Sequence, residues 1–129
     1  MPTHDEMVRV VERYVAAFDN SDAAAVRDLF AEDATVEDPV GTPPHVGREA
    51  IHAFYARSMT TGARLKLDGP VRTVGNTAAF PFSVHLTLND SPARIDVIDL
   101  FTFDEEGKVA SMRAYFGPAN FHQGASAGA

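Results

Sequence analysis

The sequence predicts an α+β fold, helices first and a mainly antiparallel sheet after them, and three observations predict it. In the N-terminal half, apolar side chains recur at helical spacing; from about Arg64 onward they alternate with polar ones; and turn-forming clusters separate the alternating runs. Helices followed by a meander put one sheet face under the helices, and a strongly curved sheet closing on them leaves an apolar cone.

Taken in order, Thr3 followed by Glu6 reads as a capping box, so the first helix begins there. Met7, Val11, Tyr14, Val15 and Phe18 then form its apolar face, which turns the Tyr14 hydroxyl inward, where it needs a partner. Asp22 caps a short second helix expected to run through Phe30, burying Val26, Leu29 and Phe30. Ala34 to Asp38 is short and β-prone and stops at Pro39, since the residue before a proline favours extended geometry. Gly41-Thr42-Pro43-Pro44 is a loop or turn. From Arg48 to about Ser58, Ile51, Phe54, Tyr55 and Ser58 mark a third helix that ends near Gly62.

The period then changes. One strand is expected over roughly Arg64 to Val74. Between Ala78 and Leu88 the apolar Phe80, Phe82, Val84, Leu86 and Leu88 alternate with Ser83, His85 and Thr87, the pattern of a half-buried antiparallel strand. Asn89-Asp90-Ser91-Pro92 turns the chain into a strand from Ala93 to Phe103. Asp104-Glu105-Glu106-Gly107 turns it again into Val109 to Phe116, with Ala110, Met112, Ala114 and Phe116 on one face.

A chain of 129 residues suits one domain, expected over 1–123, with a flexible Gly/Ala/Ser tail at 124–129. An apolar fraction of 45% is ordinary for globular proteins and sets aside disordered and fibrous classes. Lys and Arg number 11 against 18 Asp and Glu, a formal charge of −7. With no basic stripe to displace counterions, no nucleic-acid partner is expected; the same charge is repelled by an anionic membrane surface and suits a neutral small molecule. Cysteine is absent, which removes disulfides, thiolate ligands and thiol nucleophiles together. Met1 to Asp5 lacks a basic stretch leading into an apolar core, and no apolar run approaches transmembrane length, so a cytoplasmic location is expected. His45, His52, His85 and His122 show no metal-ligand spacing and read as surface or loop residues. No phosphate-cradling glycine loop or nucleophile elbow occurs either, so neither metal nor cofactor is expected.

One residue breaks the alternation. In the strand from Ala93 to Phe103 the apolar parity runs Ala93, Ile95, Val97, Asp99, Phe101, Phe103, so Asp99 is a carboxyl placed where hydrocarbon belongs. Burying an unpaired carboxylate is costly enough that the group stays protonated, and a neutral carboxyl can donate a hydrogen bond. The residues leave two other readings open: an ion pair with Arg113 of the next strand, or a bulge that turns Asp99 outward. By themselves, Asp38 reads as a turn residue beside Pro39 and Tyr14 as a core aromatic with a satisfied hydroxyl.

Taken together, Arg13-Tyr14-Val15-Ala16-Ala17, the run Ala31-Glu32-Asp33-Ala34-Thr35-Val36-Glu37-Asp38-Pro39-Val40-Gly41, Phe54-Tyr55-Ala56, Val97-Ile98-Asp99 and Ser111-Met112-Arg113-Ala114 resemble the bacterial Δ5-3-ketosteroid isomerases. These steroid delta-isomerases sit within the NTF2-like, SnoaL-like superfamily, and the resemblance covers nearly the whole chain. It implies an NTF2-like cone, three N-terminal helices on a curved mixed, mainly antiparallel sheet. It also implies a cofactor-free isomerisation of a 3-oxo-Δ5-steroid to its 3-oxo-Δ4 isomer. Carried over, Asp38 is the general base, and Tyr14 and protonated Asp99 hold the enolate oxygen, a protonation pattern long established for ketosteroid isomerases themselves. Phe54, Phe80, Phe82, Met112 and Phe116 would hold the fused rings. Tyr55 matches a position that supports the catalytic tyrosine's hydroxyl and is counted with the substrate-contacting residues. Phe30 stands where some members carry a further tyrosine and Phe116 where some carry tryptophan, which alters the tyrosine network and pocket shape. The resemblance further implies a homodimer paired through its sheets. Two rival readings of such a cone are a non-catalytic steroid binder and another SnoaL-like enzyme, such as an epoxide hydrolase or a polyketide cyclase. An epoxide hydrolase would want an Asp–Arg–Asp set, which the sequence does not place.

Overall fold

Thr3 and Glu6 open the first helix by reciprocal hydrogen bonds: the Thr3 N–H donates to Glu6 Oε1 (2.9 Å) and the Glu6 N–H to Thr3 Oγ1 (3.2 Å). In the computed structural model, which describes residues 1–124, α1 spans His4–Ala17 and buries Met7, Val11, Tyr14 and Ala17 on one face. After a 3₁₀ turn, Phe18–Asn20, comes α2, Ala23–Arg27, whose first turn is capped by Asp22 Oδ1 accepting from the Ala25 N–H (3.0 Å). This helix is shorter than the sequence suggests, and Phe30 belongs to a strand instead. The Val109 N–H donates to the Leu29 carbonyl (2.9 Å) and Phe30 pairs in parallel with Val109, so a non-local ladder wins over a helix too short to hold itself.

The first strand, β1, is Phe30–Glu37; β2 is His45–Val46; α3 runs Arg48–Met59 and closes before Gly62, whose φ of +74° suits glycine. The expected strand from Arg64 to Val74 is two: β3, Arg64–Leu67, and β4, Arg72–Val74. Both pair with the following strand, and Pro70, which has no N–H to give a ladder, lies in the gap between them. Next come β5, Thr77–Leu88, and β6, Ser91–Phe103, joined by Asn89 and Asp90 with φ of 51° and 62°, the left-handed pair that a two-residue hairpin requires. The last two strands are β7, Val109–Tyr115, and β8, Phe121–Gln123.

The sheet order is β2-β1-β7-β6-β5-β3, with β4 on β5 and β8 on β6. Among the described residues only β1 and β7 pair in parallel, so the sheet is mixed and mainly antiparallel, with the three helices packed on one face: the α+β cone expected. Direct pairing keeps one face apolar: Phe80 opposite Asp99, Phe82 opposite Val97, Phe101 opposite Met112. At Phe101 that face is covered by α1, whose Tyr14 ring meets Phe101 edge-on with centroids 5.2 Å apart. Of the tail anticipated over 124–129, only Gly124 lies within the described residues. Among these, no helix is long and apolar enough to cross a membrane.

Two of the histidines read as surface or loop residues, His45 and His122, sit in very short strands, whereas His85 lies in β5 as the alternation there predicts. His45, in β2, stacks on Phe54 with ring centroids 4.4 Å apart. His85, in β5, shares a 2.8 Å hydrogen bond with Ser83, and His122, in β8, lies 3.1 Å from Asp96. His52 is partly buried on α3. A two- or three-residue strand has too short a run for its alternation to be read.

Candidate active site

Four elements converge on the cone's interior. Tyr14 enters from the last turn of α1, Tyr55 from α3, Asp99 from β6, and Asp38 from just beyond the end of β1. Ala34 and Val36 are buried on the inner face, so strand parity returns the side chain two residues on, Asp38, to that face. The Asp38–Pro39 peptide is cis, and the chain beyond it is tied down where the Val40 N–H donates to the Ala114 carbonyl (2.8 Å) and the Gly41 N–H to Glu37 Oε2 (3.1 Å). The resulting cavity is about 300 Å³ and is lined by Tyr14, Asp38, Tyr55 and Asp99 together with Phe18, Phe54, Phe82, Val97 and other hydrocarbon side chains.

Asp99 is fully buried, and neither carboxyl oxygen has a hydrogen-bond partner among the described residues. Arg113, left open above as its counter-ion, is opposite Leu100 in the ladder and so on the other face of the sheet, where its Nε donates to Glu37 Oε1 at 3.3 Å. The regular pairing of Asp99 with Phe80 and Ala114 also leaves no bulge to turn it outward. Burial first, and the nearby Asp38 carboxyl second, push the Asp99 acid well above the usual carboxylate range. That shift favours its neutral form, which can donate an O–H hydrogen bond.

Asp38 is also shifted, but less. Burial raises it from its ordinary 3.8 to about 6, which leaves it mostly ionised at neutral pH and close to the value that suits proton exchange there. The Tyr14 hydroxyl lies 3.0 Å from that of Tyr55, a bond in which either oxygen can donate. Tyr14 is held edge-on by Phe18, Tyr55 and Phe101, with centroids at 5.6, 5.7 and 5.2 Å. Burial, then the charges of Tyr55, Asp99 and Asp38, push its phenol well above 10, so it too remains a donor. One apolar cavity therefore holds a carboxylate able to accept a proton and two neutral O–H groups, which is the equipment for enolisation. Among the described residues no group of three or more His, Asp or Glu could hold a metal ion.

Of the side chains expected to contact substrate, Phe54, Tyr55, Phe82 and Phe116 line the cavity. Phe80 and Met112 do not. Both are fully buried in the narrow end of the cone, Phe80 against Phe101 (5.0 Å between centroids) and Met112 opposite both Phe101 and Val36. Alternation put them on the correct face but carries no information on where a curved sheet opens. The same parity contained Val84, Leu86, Ile95 and Val97, which do line the cavity. Ser58 and Thr61 complete the lining, with no sequence signal beyond Ser58's place on the α3 face.

The family model described as a SnoaL-like domain matches residues 11–112. The chain is 39% identical over 116 residues to a steroid Delta-isomerase of Nocardioides simplex, covering 89% of this chain and 93% of that protein. It is 27% identical over 122 residues to the epoxide hydrolase LasB of Streptomyces lasalocidi, a match that takes in 91% of this chain and 43% of the other. Among solved structures, SalBIII, an epoxide hydrolase/cyclase-like enzyme discussed for pyran ring formation in the polyether salinomycin, superposes with a TM-score of 0.87 at 27% identity, over 94% of this chain and 98% of that one.

Proposed function

The chain belongs to the SnoaL-like domain family, and from that premise we propose that it is a steroid Δ-isomerase, converting a 3-oxo-Δ5-steroid into the conjugated 3-oxo-Δ4 isomer. The observation that carries the reading is the pair of carboxyls lining one apolar cavity with Tyr14, Asp38 raised by burial to about 6 and the fully enclosed Asp99 pushed further above the usual carboxylate range. Similarity to the Nocardioides isomerase supports it.

Asp38 takes a proton from the carbon between the ketone and the double bond. The C–H electrons move into the conjugated system and the negative charge collects on the ketone oxygen, forming a dienolate. Tyr14 and Asp99 donate hydrogen bonds to that oxygen as its charge grows, while Tyr55 donates to Tyr14. The Asp38 carboxyl then returns the same proton two carbons further along, and the enone is formed with no net gain or loss. A carbon acid beside a ketone is weak, so its ionisation is rapid only if the oxyanion is stabilised in the same transition state. Donors already fixed in a dry cavity do this without solvent reorganisation. No cofactor is required by this scheme.

The same reading includes a single domain over 1–123, a cytoplasmic location, and a homodimer paired through the sheet face turned away from the helices. On that face the adjacent pair Ile98 and Tyr115 is 49% and 41% exposed. The LasB and SalBIII similarities make epoxide opening the rival activity. Among the described residues, however, the cavity lining includes no Arg for the water-activating set named above.

The test is to mix the protein with a Δ5-3-ketosteroid and follow conjugated-enone absorbance. Turnover above buffer that collapses in Asp38→Asn is expected. An absence of enhancement, or an undiminished rate in that variant, overturns the proposal.

A further inference from the structure

The cavity's polar side chains fall into two groups. Tyr14, Tyr55 and Asp99, with Asp38, form the buried end; the remaining two, Ser58 and Thr61, sit at the close of α3, with Ser58 partly buried and Thr61 exposed. All other lining side chains are hydrocarbon, among them Leu65, Val84, Leu86 and Ile95. The helix itself measures the separation. Tyr55 and Ser58 lie on α3 and Thr61 in the turn that follows it, its N–H still donating to the Ser58 carbonyl (3.4 Å), so at a rise of about 1.5 Å per residue Thr61 is about 9 Å further along the wall than Tyr55. That is comparable to the span of a fused four-ring skeleton held with its ketone at Tyr14.

The hydrogen bonds of the two hydroxyls decide what they can recognise. Ser58 Oγ donates to the Phe54 carbonyl (3.1 Å) and Thr61 Oγ1 donates to the Ser58 carbonyl (2.7 Å). Each hydroxyl has one proton, and in both cases it is already engaged with the helix backbone. What each oxygen has left is acceptor capacity. A ligand ketone at this end offers only lone pairs and meets lone pairs, whereas a ligand hydroxyl can donate.

We infer that Ser58 and Thr61 form a distal acceptor subsite, and that the substrate is a hydroxy-ketone: a fused-ring enone precursor with its ketone at Tyr14 and Asp99 and an O–H group at the opposite end. The inference rests on the function proposed above and narrows its substrate class. A partly exposed hydrogen bond of this kind corresponds to a preference of roughly three- to tenfold.

The experiment uses three 3-oxo-Δ5-steroids alike except at the far ring, which carries a hydroxyl, a ketone or only hydrogen, and the three corresponding 3-oxo-Δ4 products as non-turnover ligands. Turnover is read from enone absorbance and product binding from calorimetry, in the parent protein, Ser58→Ala, Thr61→Val and the double variant. The expected result is that the hydroxyl compound binds tightest and has the highest kcat/KM through a lower KM, and that its advantage over the ketone disappears in the double variant. Equal binding of hydroxyl and ketone compounds to the parent protein, or a preference that survives in the double variant, overturns the inference. Because binding of the products is measured independently, a protein that ranks them as expected but turns over none of the substrates contradicts the proposed reaction and leaves the subsite standing.

Discussion

The hydroxyls of Tyr14 and Tyr55 meet at 3.0 Å inside a cage of edge-on aromatic rings, so the phenol at the cavity wall is aimed by a second phenol behind it. Both are fully enclosed, and no other protein hydrogen bond competes for the Tyr14 oxygen among those described. On the proposed mechanism Tyr55 is a positioning residue. Tyr55→Phe is expected to lower kcat by about three- to tenfold, the scale of one net hydrogen bond, with KM little changed. Steady-state kinetics that show a rise in KM alone would instead make Tyr55 a contact for the substrate's rings.

Tyr14→Phe removes the other end of the same bond and is expected to do two things. Turnover falls roughly a hundred- to a thousandfold, as when an oxyanion donor is lost. Stability also falls, by about 1–3 kcal/mol, because the Tyr55 hydroxyl is left buried without a partner. Chemical denaturation beside the kinetics separates the two effects; a rate loss without any stability loss would mean that water enters to satisfy Tyr55.

Asp99→Leu is expected to behave oppositely in stability. The Asp99 carboxyl is buried with both oxygens unpartnered, so replacing it with hydrocarbon relieves a desolvated polar group. The variant should unfold at the same or a higher temperature while losing turnover by roughly a hundred- to a thousandfold. A marked fall in melting temperature would indicate that the Asp99 carboxyl is hydrogen-bonded in the folded protein.

Much of this was legible in the residues because Asp99 violates a clean alternation: one acid among Ile95, Val97, Phe101 and Phe103 states both its burial and its strand. What alternation could not state was whether Arg113 answers it. That depended on ladder register, which puts Arg113 beside Leu100 and sends its guanidinium across the outer face to Glu37. The same lack of register information assigned Phe30 to a helix and joined β3 to β4. Phe80 and Met112 were read as cavity lining for a related reason. Local periodicity names a face of the sheet, whereas which part of that face stays open depends on where a helix covers it, as Tyr14 of α1 does over Phe101. Asp38 was legible only through the run that carries it, since a single Asp before Pro has no periodic signature.

The outer face gives a prediction about assembly. Pro81, Ile98 and Tyr115 are consecutive partners across β5, β6 and β7, and Ile98 is half exposed. If this face pairs two copies, Ile98→Lys places like charges against each other at the interface centre and shifts the protein toward monomer. Sedimentation velocity at several concentrations reads the change. An Ile98→Lys variant that sediments as the parent does, whether monomer or dimer, would remove this face from the assembly.

Asp38 ties activity and stability to the same proton. Burial raises its folded-state pKa from 3.8 to about 6, so the folded state favours the protonated acid more than the unfolded chain does. The favourable contribution of the neutral form is complete below pH 3.8, the unfolded value, and is lost as pH rises through about 6; above that, the folded protein carries a desolvated carboxylate at a cost of about 3 kcal/mol relative to acid conditions. On the proposed mechanism turnover moves the other way, because only an ionised Asp38 could take the proton from carbon. The logarithm of kcat/KM is expected to rise with unit slope up to a pH near 6 and then level off, while the stability of the parent falls relative to Asp38→Asn across that same window. The Asn variant, with a neutral side chain of nearly the same shape, should be the more stable protein at pH 8 and show little advantage at pH 4. Denaturation curves at the two pH values, set beside the pH–rate profile, check both limbs. If kcat/KM is flat from pH 4 to 8, or if the stability difference does not change between those pH values, Asp38 is not the titrating base, however well its place in the cavity suits it.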